Sequence, residues 1–312
     1  MVQTSGLIGG QRSPFGDSLQ VGGGHNLPDE TSVITANSWP RALERLVHVV
    51  PLGWEKDRAV KPILEMRAHR VYLLSRTDSD HNRRFLSLVR QGLAEEVEDR
   101  EIREVQIDAS REFESVLLEV AKTIVNEHAA GSRVHLNISA SGKIASAGAT
   151  LVGMYHSDKI GQIYYAKLQG YTVLAKNPKA SFQANGLSIG YGGLQMLPRF
   201  PLRRMREASV RTLAHLYTKG PSSILDVMRA LQVADVAPFD DMPSIADTRK
   251  ARGPKGEKDL ITWSARFRRL VLQEVLPTHV TLGTRGATGK RLALTRDGEF
   301  QAIISGLVPK LR

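Results

Sequence analysis

The stretch Val134–Tyr155, VHLNISASGKIASAGATLVGMY, changes its period part-way along. Val134-His135-Leu136-Asn137-Ile138 is a short aliphatic run with β-branched residues, the signature of a strand. Ser139-Ala140-Ser141-Gly142-Lys143 then places two hydroxyls, a permissive glycine and a cation where the strand gives way to a helix. From Ile144 to about Tyr155 the side chains are small, with Ala145, Ala147, Gly148, Ala149 and Gly153 permitting close packing on a sheet. The first amides of a helix have no intrahelical acceptor, so this loop can receive an anion. The alternative reading is an ordinary helix start with Lys143 merely solvated.

Upstream the same strand and helix unit repeats. Leu46–Val50 reads as a strand, Pro51-Leu52-Gly53 as a loop, and Asp57–Met66 as a helix burying Val60, Ile63 and Leu64. Val71–Leu74 and Ile102–Ile107 are further strands. Asn82–Val97 and Phe113–Asn126 carry apolar residues at helical spacing. Alternation with short connections implies right-handed crossovers and a mainly parallel sheet, a Rossmann-like α/β fold. Ligands of such sheets sit beyond the carboxyl ends of the strands, which singles out loops 51–57, 75–81 and 139–143. Ser139–Ile144 lacks the first glycine and the final hydroxyl of a Walker A loop, and Pro51–Trp54 lacks the dinucleotide glycine fingerprint.

Around this core the 312 residues have room for two domains, and 41% hydrophobic with 24% charged residues is a globular composition. With no cysteine and nine dispersed histidines, thiolate chemistry and a zinc helix are disfavoured, so neither a metal nor a resident cofactor is expected. The sequence shows no membrane-length apolar run and no signal-peptide order, and a cytoplasmic protein without a membrane partner is expected. Residues 1–198 carry a net charge of +1, whereas 199–312 carry +10. A neutral domain joined to a polyanion-binding one has this asymmetry. The expected organisation is a flexible Gly-rich tail over 1–43, a sensor domain over 44–176, a Gly/Pro/Asn-rich linker over 177–201 and a basic domain over 202–312.

In the basic part, Arg203–Tyr217 and a segment starting at Ser222-Ser223, with Asp226 in a capping arrangement, read as two helices. A third helix starts at Asp259 or Thr262 and ends at Leu276, leaving Arg266, Arg268 and Arg269 outward. Val280–Leu282 and Arg291–Thr295 flank a Gly-rich turn carrying Arg285 and Lys290, and a last helix runs through Ile303, Ile304 and Leu307. Three helices, a hairpin and a helix make a winged helix-turn-helix, whose third helix reads the major groove while the wing, with Arg285, Lys290 and Arg291, touches phosphates. Val233–Lys258 is longer than the usual turn before a recognition helix.

Val47–Arg58, Arg70–Leu74 and above all Leu136–Ser146, LNISASGKIAS, resemble archaeal transcriptional regulators with a CRISPR-associated Rossmann fold (CARF) sensor and a C-terminal winged helix. The resemblance implies a homodimer that binds cyclic oligoadenylate, a nucleotide second messenger, through the loops after the first and fourth strands. In this chain those loops supply Leu52, Gly53, Trp54, Ser139, Ser141, Gly142 and Lys143. Ala140-Ser141 departs from the Thr-Gly of many relatives. The expected partner of the C-terminal domain is double-stranded DNA, with no catalytic residue. Two other readings stand beside this one: a ring nuclease that cleaves the cyclic nucleotide within the dimer, and a non-catalytic adaptor whose winged helix binds protein.

Overall fold

The run Leu46–Pro51 forms strand β1, with its side chains buried from Val47 on because helices cover both faces. In the computed structural model the described residues are 45–95, 101–200, 202, 204–243, 254–286 and 289–311, with backbone alone at 254–258, 284–286, 289 and 290. The expected tail, 1–43, lies outside them. After β1 come α1 (Lys56–Glu65), β2 (Arg70–Ser75), α2 (Asp80–Ala94), β3 (Glu101–Gln106), α3 (Glu112–Ala129), β4 (Arg133–Asn137), α4 (Lys143–Tyr155) and β5 (Ile160–Ala166). Val47, Val49, Tyr72 and Leu74 share a core with α3 and α4, while Val50, Val71 and Leu73 pack with α1 and α2. The strand period of two thus feeds two separate helical layers.

The main sheet has the order β3-β2-β1-β4-β5, closed at its edge by β8 (Leu194–Leu197). The first five strands are parallel, and β8 runs antiparallel to β5. The chain winds outward from β1 to β3 and then returns to lay β4 on the other side of β1. The strand order therefore reverses between β1 and β4, which opens a crevice at their carboxyl ends.

Strand β5 is an addition to the reading above, although Ile160-Gly-Gln-Ile-Tyr-Tyr-Ala is rich in strand formers. Between it and β8 lies a strap of β6 (Gly170–Tyr171), α5 (Pro178–Asn185) and β7 (Ser188–Ile189). The stretch 177–201, expected as a linker, thus holds α5, β7 and the sheet edge β8. Its Gly-rich composition serves tight turns, with positive φ at Gly186, Gly190 and Gly193.

The basic part contains α6 (Glu207–Lys219), β9 (Ser222–Ser223), α7 (Ile224–Val233), α8 (Pro254–Phe267), β10 (Val280–Gly286), β11 (Gly289–Leu294) and α9 (Arg296–Ile304). Ser223 caps α7, its Oγ accepting from the Asp226 amide at 3.2 Å, as the spacing predicted. Helix α8 starts earlier than expected and continues through a π-helical turn, Arg268–Leu272, to Val275. Strand β11 lies between β10 and β9 in an antiparallel sheet. The hairpin strands reach further into the Gly-rich stretch than expected, because cross-strand pairing continues to Gly286 and Gly289.

Part of the long segment before α8 is core. Val236, Phe239 and Met242 are buried, and Phe239 meets the rings of Trp263 and Phe267 at 6.1 and 5.9 Å. Arg249, Lys250 and Arg252 lie outside the described residues. The hydrophobic core runs on from α3 and α4 into these C-terminal elements. Phe113 meets Phe300 edge-on at 6.0 Å, and Gly306, at φ 74°, lies so close to α3 that a Cβ would sit 3.1 Å from the Ala121 backbone. Among the described residues no helix is long and apolar enough to cross a membrane.

Candidate functional site

The loops after β1 and β4 meet at the crevice. The amide of Gly53 donates to the carbonyl of Ala140 at 2.6 Å, while Leu52, one residue earlier, donates to Leu74 at the end of β2 at 2.7 Å. A Cβ on Gly53 would lie 3.1 Å from the Ala140 oxygen and 3.2 Å from the Ser141 Cα. This close approach of two backbones is why a glycine stands there.

Asn137, the last residue of β4, organises the second loop from within. Its buried amide group donates to the Arg58 carbonyl in α1 at 2.9 Å, and its Oδ1 accepts from both the amide and the hydroxyl of Ser139. Ser139 is buried and its hydroxyl hydrogen is engaged inward, so it shapes the loop. Ser141 is half-buried, 3.1 Å from the Ser146 hydroxyl, which itself donates to Ile138 at 2.8 Å. Gly142 and Lys143 are exposed. Gly142 precedes α4 in an extended conformation with no side-chain cap, so the first turn of a 13-residue helix opens beside the Lys143 ammonium. The positive end of the helix dipole and this cation favour an anion at the same place.

Trp54 is held by packing. Its Nε1 donates to Asn82 at 2.8 Å, and its ring belongs to a cluster with His81, Phe85 and Phe182 at centroid distances of 5.7, 6.3 and 6.0 Å. The strap clamps the same loop. Leu187 donates to the Trp54 carbonyl at 2.7 Å, Gly190 donates to Asp57 at 2.8 Å, and the Ser188 hydroxyl donates to Glu55. Gly186, at φ 88°, passes so close that any Cβ would overlap the Trp54 oxygen. The strap is a third component of the site that the sequence reading missed; the only local sign was the density of glycines. Arg58 is engaged inside the fold, donating to Ala166 at 2.8 Å with its guanidinium 4.5 Å from the centre of the Tyr165 ring.

The second set of expected residues lies on other elements. Arg266, Arg268 and Arg269 are all exposed along α8 and its π-helical turn. That turn has a physical consequence: its altered winding lets the neighbours Arg268 and Arg269 both face solvent while Val271 and Leu272 are both buried. The Arg266 guanidinium lies 5.0 Å from the centre of the Trp263 ring, itself half-buried. Arg291 is exposed on β11 opposite Ser223. Arg285 and Lys290 are cross-strand partners near the hairpin tip. Their side chains, and residues 287 and 288, are outside the described residues. Among the described residues no group of three or more His, Asp or Glu could hold a metal ion.

Over residues 46–171 the chain matches one family model. That family is described as HFX_2341_N:-like, N-terminal, and the match ends at β6. Similar solved structures include Csm6 of Enterococcus italicus bound to cyclic hexa-2'-fluoro-hexa-dAMP, at 12% identity and a TM-score of 0.37, covering 74% of this chain and 58% of that one. Can2 from Sulfobacillus thermosulfidooxidans, in complex with cyclic tetra-adenylate, is 16% identical with a TM-score of 0.32, covering 84% of this chain and 64% of that one. Protein VC1899 from Vibrio cholerae is 12% identical with a TM-score of 0.35, covering 84% of this chain and 66% of that one. The chain thus spans 58 to 66% of the length of these structures. No curated protein matches it by sequence.

Proposed function

We propose that the chain is a ligand-responsive, DNA-binding transcriptional regulator that works as a homodimer. The observation that carries this reading is the C-terminal order of helix, strand, helix, helix and hairpin around β10-β11-β9, with Arg266, Arg268 and Arg269 exposed along α8. This is the order of a winged helix-turn-helix, and α8 is its recognition helix for the major groove of double-stranded DNA. Arg285, Lys290 and Arg291 on the hairpin contact phosphates. The charge asymmetry favours the same partner, since counterion release from phosphates supplies much of such binding.

The α/β part is the sensor, a CARF-like domain taking cyclic oligoadenylate, the ligand that the resemblance of Val47–Arg58 and Leu136–Ser146 implies. The open amides at Gly142–Lys143 and the Lys143 ammonium meet phosphates. Leu52, Gly53 and Trp54 form the facing wall, and Ser139 and Ser141 hold the loop in shape. On α4, Ile144 and Leu151 are 57% and 39% exposed with exposed Ala147 between them, an apolar stripe one helical repeat long that suits a second copy. Helix α4 carries the ligand loop at one end and His156, bonded to α9, just past the other. It is the element through which a ligand shifts the balance between two dimer states of different DNA affinity.

A mobility-shift titration on the chain's own promoter DNA at two salt concentrations, with and without cyclic oligoadenylates, tests the reading. Specific, salt-sensitive binding altered by one ring size is the expected result. Replacing Arg266 and Arg269 by Ala should flatten the salt slope by roughly two per protomer, about four for the dimer. Absence of specific DNA binding refutes the regulator. Turnover of the ring by the purified protein would then point to a ring nuclease, and DNA-independent retention of a protein partner to an adaptor.

A further inference from the structure

Helix α8 and its continuation to Val275 present two faces of different chemistry. Leu260, Trp263, Phe267 and Leu270 recur at helical spacing and pack into the core, with Phe267 fully buried. The opposite face is exposed at Ile261, Thr262, Ala265, Arg266 and Arg269. The solvent side of a helix ordinarily carries charged or polar residues. Ile261 instead leaves an aliphatic side chain 63% exposed. Thr262 and Ala265 extend this end of the face with small side chains that also carry methyl groups.

The face changes character along the helix. Ile261, Thr262 and Ala265 occupy one turn, and Arg266, Arg268 and Arg269 follow toward the C-terminus. From Leu260 to Gln273 there is no acidic residue, and Glu274 is turned to α6, where it accepts from the Arg206 amide at 3.1 Å and from the Ser209 hydroxyl at 2.5 Å. Charge complementarity therefore calls for a polyanion, and the apolar turn calls for one that shows methyl groups to a helix. A second copy of the same face would set two groups of arginines against each other.

Duplex DNA meets both demands. Thymine puts its C5 methyl into a major groove wide enough for an α-helix, between two rows of phosphates. An RNA duplex meets neither as well, because uracil lacks the methyl and the major groove is too narrow for side chains to read. Ile261 and Ala265 are one turn apart, about 6 Å along the helix, close to two base-pair steps of about 3.4 Å.

We infer that Ile261, with Thr262 and Ala265 beside it, reads thymine through the C5 methyl. Each half-site of the DNA then carries one or two thymines, within about two base-pair steps, where this turn of α8 enters the groove. Arg266, 5.0 Å from the centre of the Trp263 ring, and Arg269 lie further along and supply charge. This rests on the DNA-binding reading above and adds to it the base that is recognised.

In the test the full chain first selects its site from a random duplex library at fixed salt. Each thymine of that site is then replaced in turn by deoxyuridine, which removes the methyl and keeps every hydrogen-bonding group. One or two positions per half-site should weaken binding by about fourfold each, from the burial of one methyl group. Ile261→Ser, at an exposed position, should bring the thymine-to-deoxyuridine ratio there close to one. The slope of affinity against salt should stay unchanged, since no phosphate contact is lost. Specific binding that is indifferent to every deoxyuridine, or an undiminished ratio in Ile261→Ser, overturns the inference and leaves the regulator standing. No specific duplex binding overturns both together. A shift of Ile261→Ser from dimer to monomer in sedimentation equilibrium makes this turn a contact between copies and also overturns the inference.

Discussion

Acidification should weaken the docking of the C-terminal elements through one residue. Burial, aided by Lys159 and Arg204, outweighs the Ile304 hydrogen bond and Asp158 and pushes the His156 imidazole down to about 4 from its usual 6.5. In the folded chain His156 stays neutral until about pH 4, whereas in the unfolded chain it takes a proton below about pH 6.5. The unfolded state therefore binds more protons in this window. The stabilisation is complete above the upper limit and is lost progressively as pH falls through the window. At pH 4.5 the loss from this residue alone amounts to about 2.5 kcal/mol, from 1.36 kcal/mol per pKa unit and the part of the window already crossed. Urea denaturation of the unmodified chain and of His156→Gln at pH 7.5 and pH 4.5 isolates it. Carboxylates that titrate in the same range contribute to both proteins and cancel in the difference. The unmodified chain should lose about 2.5 kcal/mol more than the variant. Equal losses would refute the reasoning.

Gly186→Ala should cost about 1 to 3 kcal/mol from backbone strain alone and lift the strap from the Trp54 loop, seen as faster proteolysis within 170–190; unchanged protection would contradict the clamp. Glu127 is buried and accepts from Arg70 at 2.6 Å, from Ser132 at 2.8 Å and from the Tyr72 hydroxyl. Burial pushes its carboxyl up, but these donors together hold it below the usual range. Glu127→Ala leaves Arg70 with only the half-exposed Glu101 and should cost about 3 to 5 kcal/mol in chemical denaturation, a loss below about 1 kcal/mol being incompatible with the network. Gly53→Val forces the β1 and β4 loops apart and should lower affinity for the proposed ligand, cyclic oligoadenylate, by at least about tenfold in calorimetry while the far-UV circular dichroism is retained. Retained affinity would place the ligand elsewhere.

The parallel α/β layers were legible because each strand and helix writes its period into contiguous residues. Val47, Val49 and Val50 read as a buried strand before any partner is known, and so do Val134 and Leu136. The small-residue helix after Lys143 is equally local. Strand β5 was as strong a signal as β3, yet it stood outside the repeat being followed. The strap was hidden because its glycines resemble a linker until their positive φ values and their contact with Trp54 are seen. In the C-terminal part, α6, α7 and the hairpin were visible, whereas Phe239 reads as loop until Trp263 and Phe267 close around it.

The sequence by itself determined the alternation of strands and helices from β1 to α4, the loop from Ser139 to Lys143 and the basic character of the C-terminal third, since these depend on neighbours along the chain. Tertiary structure alone decided what each polar side chain does. It turned the Ser139 hydroxyl inward to Asn137 and set Trp54 among aromatic rings. It brought Ser188 to Glu55 across 133 residues and Ile304 to His156 across 148. Hydrophobic periodicity is a local property, but a hydrogen bond between distant residues forms only once burial has removed water from both groups, and no local pattern says which two will meet.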